Sequence, residues 1–128
     1  MYTGEKIFNQ AIAIIDELTE TGTISDSQVL EYKHRAPFLL DMWQREIAKI
    51  ENVEIEEEIT SLEQTLIISD KNCPSGAYYL AEHFAMADMN EELAAMCRRK
   101  YRELKSEAAK PIPSIGIIDV YGVAKTPY

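Results

Sequence analysis

Two histidines, His34 and His83, and two cysteines, Cys73 and Cys97, are the residues that could ligate a transition metal or supply a nucleophile. Zinc needs such donors at short spacings, as in a zinc knuckle or an HExxH helix. No pair among the four has that spacing, and neither histidine neighbours a serine or cysteine in a recognisable nucleophile motif. They read as packing or surface residues. A glutamate run, Glu51, Glu54, Glu56, Glu57 and Glu58, could attract a divalent cation. It lacks the Asp-x-Asp-x-Asp-Gly order of a calcium loop, so an acidic edge facing solvent or a partner is the simpler reading. The five glycines are scattered, and none forms a phosphate-binding loop.

The other charged cluster is basic: Arg98-Arg99-Lys100, with Arg102 and Lys105. It reads either as the outer face of a helix, with positive charge toward the C-terminal end as the helix dipole prefers, or as a docking patch. In the second case Arg98, Arg99 and Arg102 meet Glu54, Glu56, Glu57 and Glu58 of a neighbouring copy. A surface carrying both signs at separate places joins head to tail, and such contacts close into rings.

At 128 residues and 46% hydrophobic content the chain forms one domain, able to bury roughly two-thirds of its unfolded surface. A formal charge of −9 argues against general affinity for phosphate backbones. The segment around Thr21-Gly22-Thr23-Ile24-Ser25 has the look of a helix-turn-helix corner. The helix after it, however, opens with Asp26 and Glu31 where bases would have to be read. Two cysteines make no disulfide framework, and Thr3-Gly4-Glu5-Lys6 begins a capped helix rather than a secretory signal. The pair therefore reads as reduced thiols of a cytoplasmic protein. No apolar run approaches the roughly 18 residues of a membrane span.

The elements that carry these residues are helical. Ile7, Ala11, Ile14, Ile15 and Leu18 share a face from about Thr3 to Thr19, and Gly22 suits a left-handed cap. Ser25 and Gln28 have capping-box spacing. From there Val29, Tyr32, Ala36, Leu40, Trp43, Ile47 and Ile50 trace one long stripe across Pro37. A proline there removes a backbone hydrogen bond and predicts a kink. Val53 to Ile59 alternates partly as a strand would, although glutamate favours helix, so 51–68 reads as a loop with a short helical turn. Leu62, Leu66 and Ile68 return it to the core. Ser69 to Asn72 is a turn by composition.

Pro74 opens a third helix with Ala77, Leu80, Ala81, Phe84 and Ala85 on one face. Asn90 caps a fourth, whose inner stripe is Leu93, Met96, Cys97, Tyr101, Leu104 and Ala108. Pro111 and Pro113 end helical structure. The arm that follows carries Ile112, Ile115, Ile117, Ile118, Asp119, Val120, Tyr121 and Gly122, mostly strand formers with no matching strand in the chain. The expectation is an all-α bundle of about four helices over 1–110, the second long and kinked at Pro37. An extended C-terminal arm over 111–128 then docks on another molecule.

These pieces in their order resemble the small head–tail connector (adaptor, head-completion) proteins of tailed bacteriophages and prophages. The resemblance rests on the opening helix, the Thr-Gly-Thr-Ile-Ser turn, and Tyr32 followed by Arg35-Ala36-Pro37 and Leu39-Leu40-Asp41. It continues through Gln44-Arg45-Glu46, Ile59 to Leu66, Tyr78-Tyr79-Leu80-Ala81, the Asp88-to-Ala94 reversal, Tyr101 and Ile118-Asp119-Val120-Tyr121-Gly122. It implies a non-enzymatic virion assembly protein without cofactor or metal. Copies of it would form a ring under the portal protein, contact a tail or stopper protein, and let DNA pass without binding it specifically. It would act in the host bacterial cytoplasm during assembly and then at the head–tail interface of the virion, away from membranes. The arm from Ile112 to Gly122 would reach the portal or a neighbouring copy. Ordering such an arm on docking costs binding energy, so the isolated chain can be monomeric and still belong to a ring. Two other readings stay open on the residues. One is a bacterial helical adaptor or regulator that binds a single partner through the arm. The other is a small metal-dependent enzyme built on His83 and nearby carboxylates.

Overall fold

The computed structural model describes residues 1–18 and 25–110. Four α-helices make up the fold: α1 (Gly4–Leu18), α2 (Asp26–Glu51), α3 (Pro74–Ala87) and α4 (Glu91–Ala109). The expected all-α bundle is present. Residues 19–24, with the proposed Gly22 cap, and residues 111–128, with the whole arm from Ile112 to Gly122, lie outside the described residues.

Local chemistry sets each boundary. The first free N–H groups of α1 need partners. Thr3 Oγ1 accepts from Lys6 N at 3.3 Å, while Glu5 N and Gly4 N donate to the carbonyls of Leu62 and Gln64 at 2.7 and 3.3 Å. Leu66 N donates to Tyr2 O at 2.9 Å, and Thr3 and Thr65 form an isolated antiparallel bridge. The loop is thus stapled to the start of α1. At Gly4 a Cβ would stand 3.1 Å from the Leu62 Cα, so glycine favours that close approach. Ser25 starts α2 with both arms of the capping box: Gln28 N donates to Ser25 Oγ at 3.3 Å, and Ser25 N to Gln28 Oε1 at 3.2 Å. α2 then runs as one helix through Pro37, because the residues on both sides of it share the same core. It ends at Asn52, which takes the left-handed conformation (φ 59°).

Pro74 occupies the first turn of α3, as its spacing predicts. Asn90 caps α4 by accepting from Leu93 N at 3.2 Å, after a reversal in which Met89 takes φ 60°.

α3 is the central element. Ser75 to Ala77, Tyr79 to Glu82, Phe84 and Ala85 are all buried, and it packs against the other three helices. Around it lie Ile7, Phe8, Ala11 and Ile15 of α1, Tyr32, Leu40, Trp43 and Ile47 of α2, and Leu93, Cys97 and Tyr101 of α4. Tyr32 stacks on Phe84 at 4.3 Å, and Phe8 meets Phe84 edge-on at 6.1 Å. Trp43 is wholly enclosed. Its Nε1 donates to Ser75 Oγ at 2.9 Å, and that hydroxyl donates to Asn72 O at 2.7 Å, so no buried polar atom of the pair is orphaned. A Cβ at Gly76 would lie 3.1 Å from the Trp43 ring and 3.2 Å from Ile7. The glycine lets three helices meet there.

Residues 52–69 contain no helix and no strand, and a 3₁₀ turn at Asp70–Asn72 leads into α3. The partial alternation of Val53 to Ile59 has a different cause from strand pairing. Ile59, Leu62, Leu66 and Ile68 pack against the core, with Ile55 half-buried, and the glutamates between them point outward. On α4, Met96 is 39% exposed and Leu104 and Ala108 are only half-buried, so its inner stripe is narrower than its spacing suggests.

Candidate assembly surfaces

The acidic loop is held from behind, by its backbone. Gln44, buried in α2, donates through Nε2 to Glu57 O at 3.1 Å, and Gln64 Nε2 donates to Glu58 O at 3.1 Å. Gln64 Oε1 also accepts from the N–H groups of Thr60 and Ser61 at 2.7 and 2.8 Å. Asp41 accepts from Ile59 N at 3.0 Å, Gln44 Nε2 at 3.0 Å and Arg45 Nε at 2.9 Å. Burial pushes the Asp41 carboxyl up, but the Ile59 N–H, then Arg45 and Gln44, outweigh it and hold the group below its ordinary value. The outcome is a fixed ridge. Glu54, Glu56, Glu57 and Glu58 are all exposed on it, and no ion pair among the described residues includes any of them.

The basic cluster on α4 divides in two. Arg98 Nε pairs with Glu82 of α3 at 2.9 Å and is half-buried, and Lys105 Nζ reaches Glu46 of α2 at 2.8 Å. Arg99 and Arg102 stay exposed. Only the last two of the predicted trio, Arg98, Arg99 and Arg102, are therefore available to a partner. The structure does not bring the acidic and basic groups together within one chain.

A polar network joins α2 and α4. Tyr101 Oη donates to Glu46 Oε1 at 2.7 Å, beside Lys105. Burial raises the Glu46 carboxyl, but Lys105 and Tyr101 together bring it below its usual value. Burial first, then the bond to Glu46, pushes the Tyr101 hydroxyl upward, so it stays a donor. His83 lies 2.9 Å through Nδ1 from Tyr79 O, its ring tilted against the Tyr79 ring at 4.4 Å. His34 is exposed on α2. Burial raises the Cys73 thiol to about 12 and the Cys97 thiol to about 11, so neither offers a thiolate at neutral pH. Among the described residues no group of three or more His, Cys, Asp and Glu side chains could hold a metal ion, and no helix is long and apolar enough to cross a membrane.

A groove of about 840 Å³ opens where α4 ends, between Ile50, Leu104 and Ala108 on its apolar walls and Glu51 and Lys71 at its rim. Glu51 fixes one side, accepting from Ser69 N at 3.2 Å and from the Ser69 hydroxyl and the Asn72 amide. Lys110, the last described residue, borders it, so the groove sits at the root of the arm.

One surface escapes the sequence reading altogether. Phe38 is 70% exposed, Leu30 59% and Met42 43%, all on the side of α2 that faces away from the core. Their fourfold spacing from residue 30 was there to be seen (Leu30, His34, Phe38, Met42), parallel to the buried stripe. No family model, curated protein or solved structure matches the chain.

Proposed function

We propose that this chain is a structural head–tail connector of a tailed bacteriophage or prophage. It docks on the portal through residues 111–128 and closes with its neighbours into a ring around the DNA exit channel. One observation carries the reading: the bundle completes a single core from Ile7 to Tyr101, and an apolar sequence from Ile112 to Tyr121 follows it. An extended apolar segment adds to a partner through backbone hydrogen bonds and alternate side chains. The side chains that could do chemistry serve the fold instead: Glu46 with Tyr101 and Lys105, Glu82 with Arg98, and two buried thiols. The fixed acidic ridge supports a place on the channel wall, where like charge keeps DNA from adhering.

The test mixes the full chain with the portal of the same phage and images the product, beside a chain truncated after Lys110. Rings from the full chain alone are the expected result. Rings formed equally well without the arm would remove its role, and a one-to-one complex without rings would make the protein a single-partner adaptor. Neutralising Glu54, Glu56, Glu57 and Glu58 to glutamine should slow DNA ejection, and unchanged ejection kinetics would move the ridge off the channel.

A further inference from the structure

The outward face of α2 has a symmetry of its own. Ser27, Glu31, His34, Phe38, Met42, Arg45 and Lys49 are all exposed, and at 100° per residue they fall within an arc of roughly 80°. Their spacing reads 4, 3, 4, 4, 3, 4, the same in both directions from Phe38, which stands at the midpoint of Asp26–Glu51. Charge divides about that point. The N-terminal half of the strip carries Glu31, and the C-terminal half carries Arg45 and Lys49. The three acids in the C-terminal half of α2 are engaged within the chain: Asp41 by Arg45, Ile59 and Gln44, Glu46 by Tyr101 and Lys105, and Glu51 by Ser69 and Asn72. No ion pair among the described residues includes Glu31 or Lys49. Arg45 binds Asp41 through Nε and stays exposed.

From this we infer that α2 pairs with α2 of a second copy of the chain, antiparallel, about a two-fold axis at Phe38. A two-fold contact applies one patch to itself, so a patch must be complementary under reversal. This strip is. Phe38 meets Phe38 of the other copy once, on the axis, while Met42 meets His34 and Arg45 meets Glu31 twice each. Antiparallel helices pack through such spaced ridges, and the apolar centre with a charged rim is the anatomy of a protein interface. One helix face is small, below the roughly 1,200 Å² of a standard interface, so the dimer is weak and concentration-dependent. The contact stands on α2 alone and does not depend on the connector reading. It gives the free protein a cover for Phe38, the most exposed apolar side chain of α2.

Sedimentation equilibrium of the full chain over a wide concentration range should show monomer and dimer only. Phe38→Glu places two like charges on the axis and should weaken association more than about a hundredfold, with thermal unfolding unchanged. Oxidised Phe38→Cys should give a cross-linked dimer by itself. His34→Cys should link slowly to itself but readily to Met42→Cys when the two are mixed. A protein monomeric throughout, association that survives Phe38→Glu, or His34→Cys linking to itself as fast as Phe38→Cys would overturn the pairing. So would assemblies larger than two that vanish when Glu54, Glu56, Glu57 and Glu58 become glutamine, since the ridge would then be what occupies this face.

Discussion

The two faces of α2 put their apolar side chains to opposite ends. On the inner face Tyr32, Ala36, Leu40, Trp43 and Ile47 are covered by α1, α3 and the loop. On the outer face Phe38 and Met42 stand in solvent, spaced just as regularly. Hydrophobicity at helical spacing thus says that a face exists without saying whether the partner belongs to the same molecule. What separates the faces is the state of their polar neighbours. Inside, Trp43 is bonded to Ser75 and Gln44 to the loop; outside, Glu31 and Lys49 have no ion-pair partner among the described residues.

The largest effect that distinguishes the faces is expected at Trp43. Trp43→Ala should cost about 3–5 kcal/mol, because it empties the largest fully buried site and removes the Nε1 bond to Ser75 Oγ. Phe38→Ala should change stability by less than about 0.5 kcal/mol. Urea unfolding of both variants checks this at a concentration where the chain is monomeric. Comparable losses would mean that Phe38 belongs to the core after all.

Gly76→Ala sharpens the inner face further. Alanine gains about 1 kcal/mol of helix propensity over glycine, yet its Cβ would sit 3.1 Å from the ring of the fully buried Trp43. Overpacking of this kind costs about 1–3 kcal/mol, so a net loss is expected. A gain in melting temperature would show that Trp43 can shift, and that the α1–α2–α3 junction is looser than its contacts indicate.

Much of the inner face was legible in the sequence, because its determinants are local. The capping box at Ser25 and Gln28, Pro74 at a helix start, Asn90 at another, and the stripe from Tyr32 to Ile47 all act within a few residues. What was hidden depends on distant partners. Asp41 meets Ile59, Glu46 meets Tyr101 and Lys105, and Glu51 meets Ser69 and Asn72, across separations that no local pattern records. Arg98 looked like outer charge because its partner Glu82 lies on another helix. The outer strip of α2 was missed for a related reason. Two apolar registers run along one helix, and choosing between them requires knowing where α3 lies.

Asp41 joins the two faces, since it binds Arg45 of the outer strip and holds the loop through Ile59. Asp41→Asn keeps an acceptor for Ile59 N but loses the charge shared with Arg45, which should cost about 1–2 kcal/mol at neutral pH. Folding holds the carboxyls of Asp41 and Glu46 below their ordinary values of 3.8 and 4.5. Their contribution is therefore complete above those values and is lost as pH falls through the folded ones. Unfolding followed from pH 7 downward should show stability dropping below about pH 4, with a shallower drop in Asp41→Asn. Identical acid profiles for the two proteins would assign the loss to other carboxylates.

The smallest effect is expected on the ridge itself. Glu54, Glu56, Glu57 and Glu58 are exposed and make no ion pair among the described residues, and the loop beneath them is held by carbonyls and by Gln44, Gln64 and Asp41. Changing all four glutamates to glutamine should leave stability within about 0.5 kcal/mol, or raise it slightly by relieving like-charge repulsion. The same change at Asp41 and Glu46 removes charges that are bonded, so the two sets of acids should separate cleanly in one denaturation series. Marked destabilisation by the four glutamines would show that the ridge charges support the fold, and would leave them less free to face a partner.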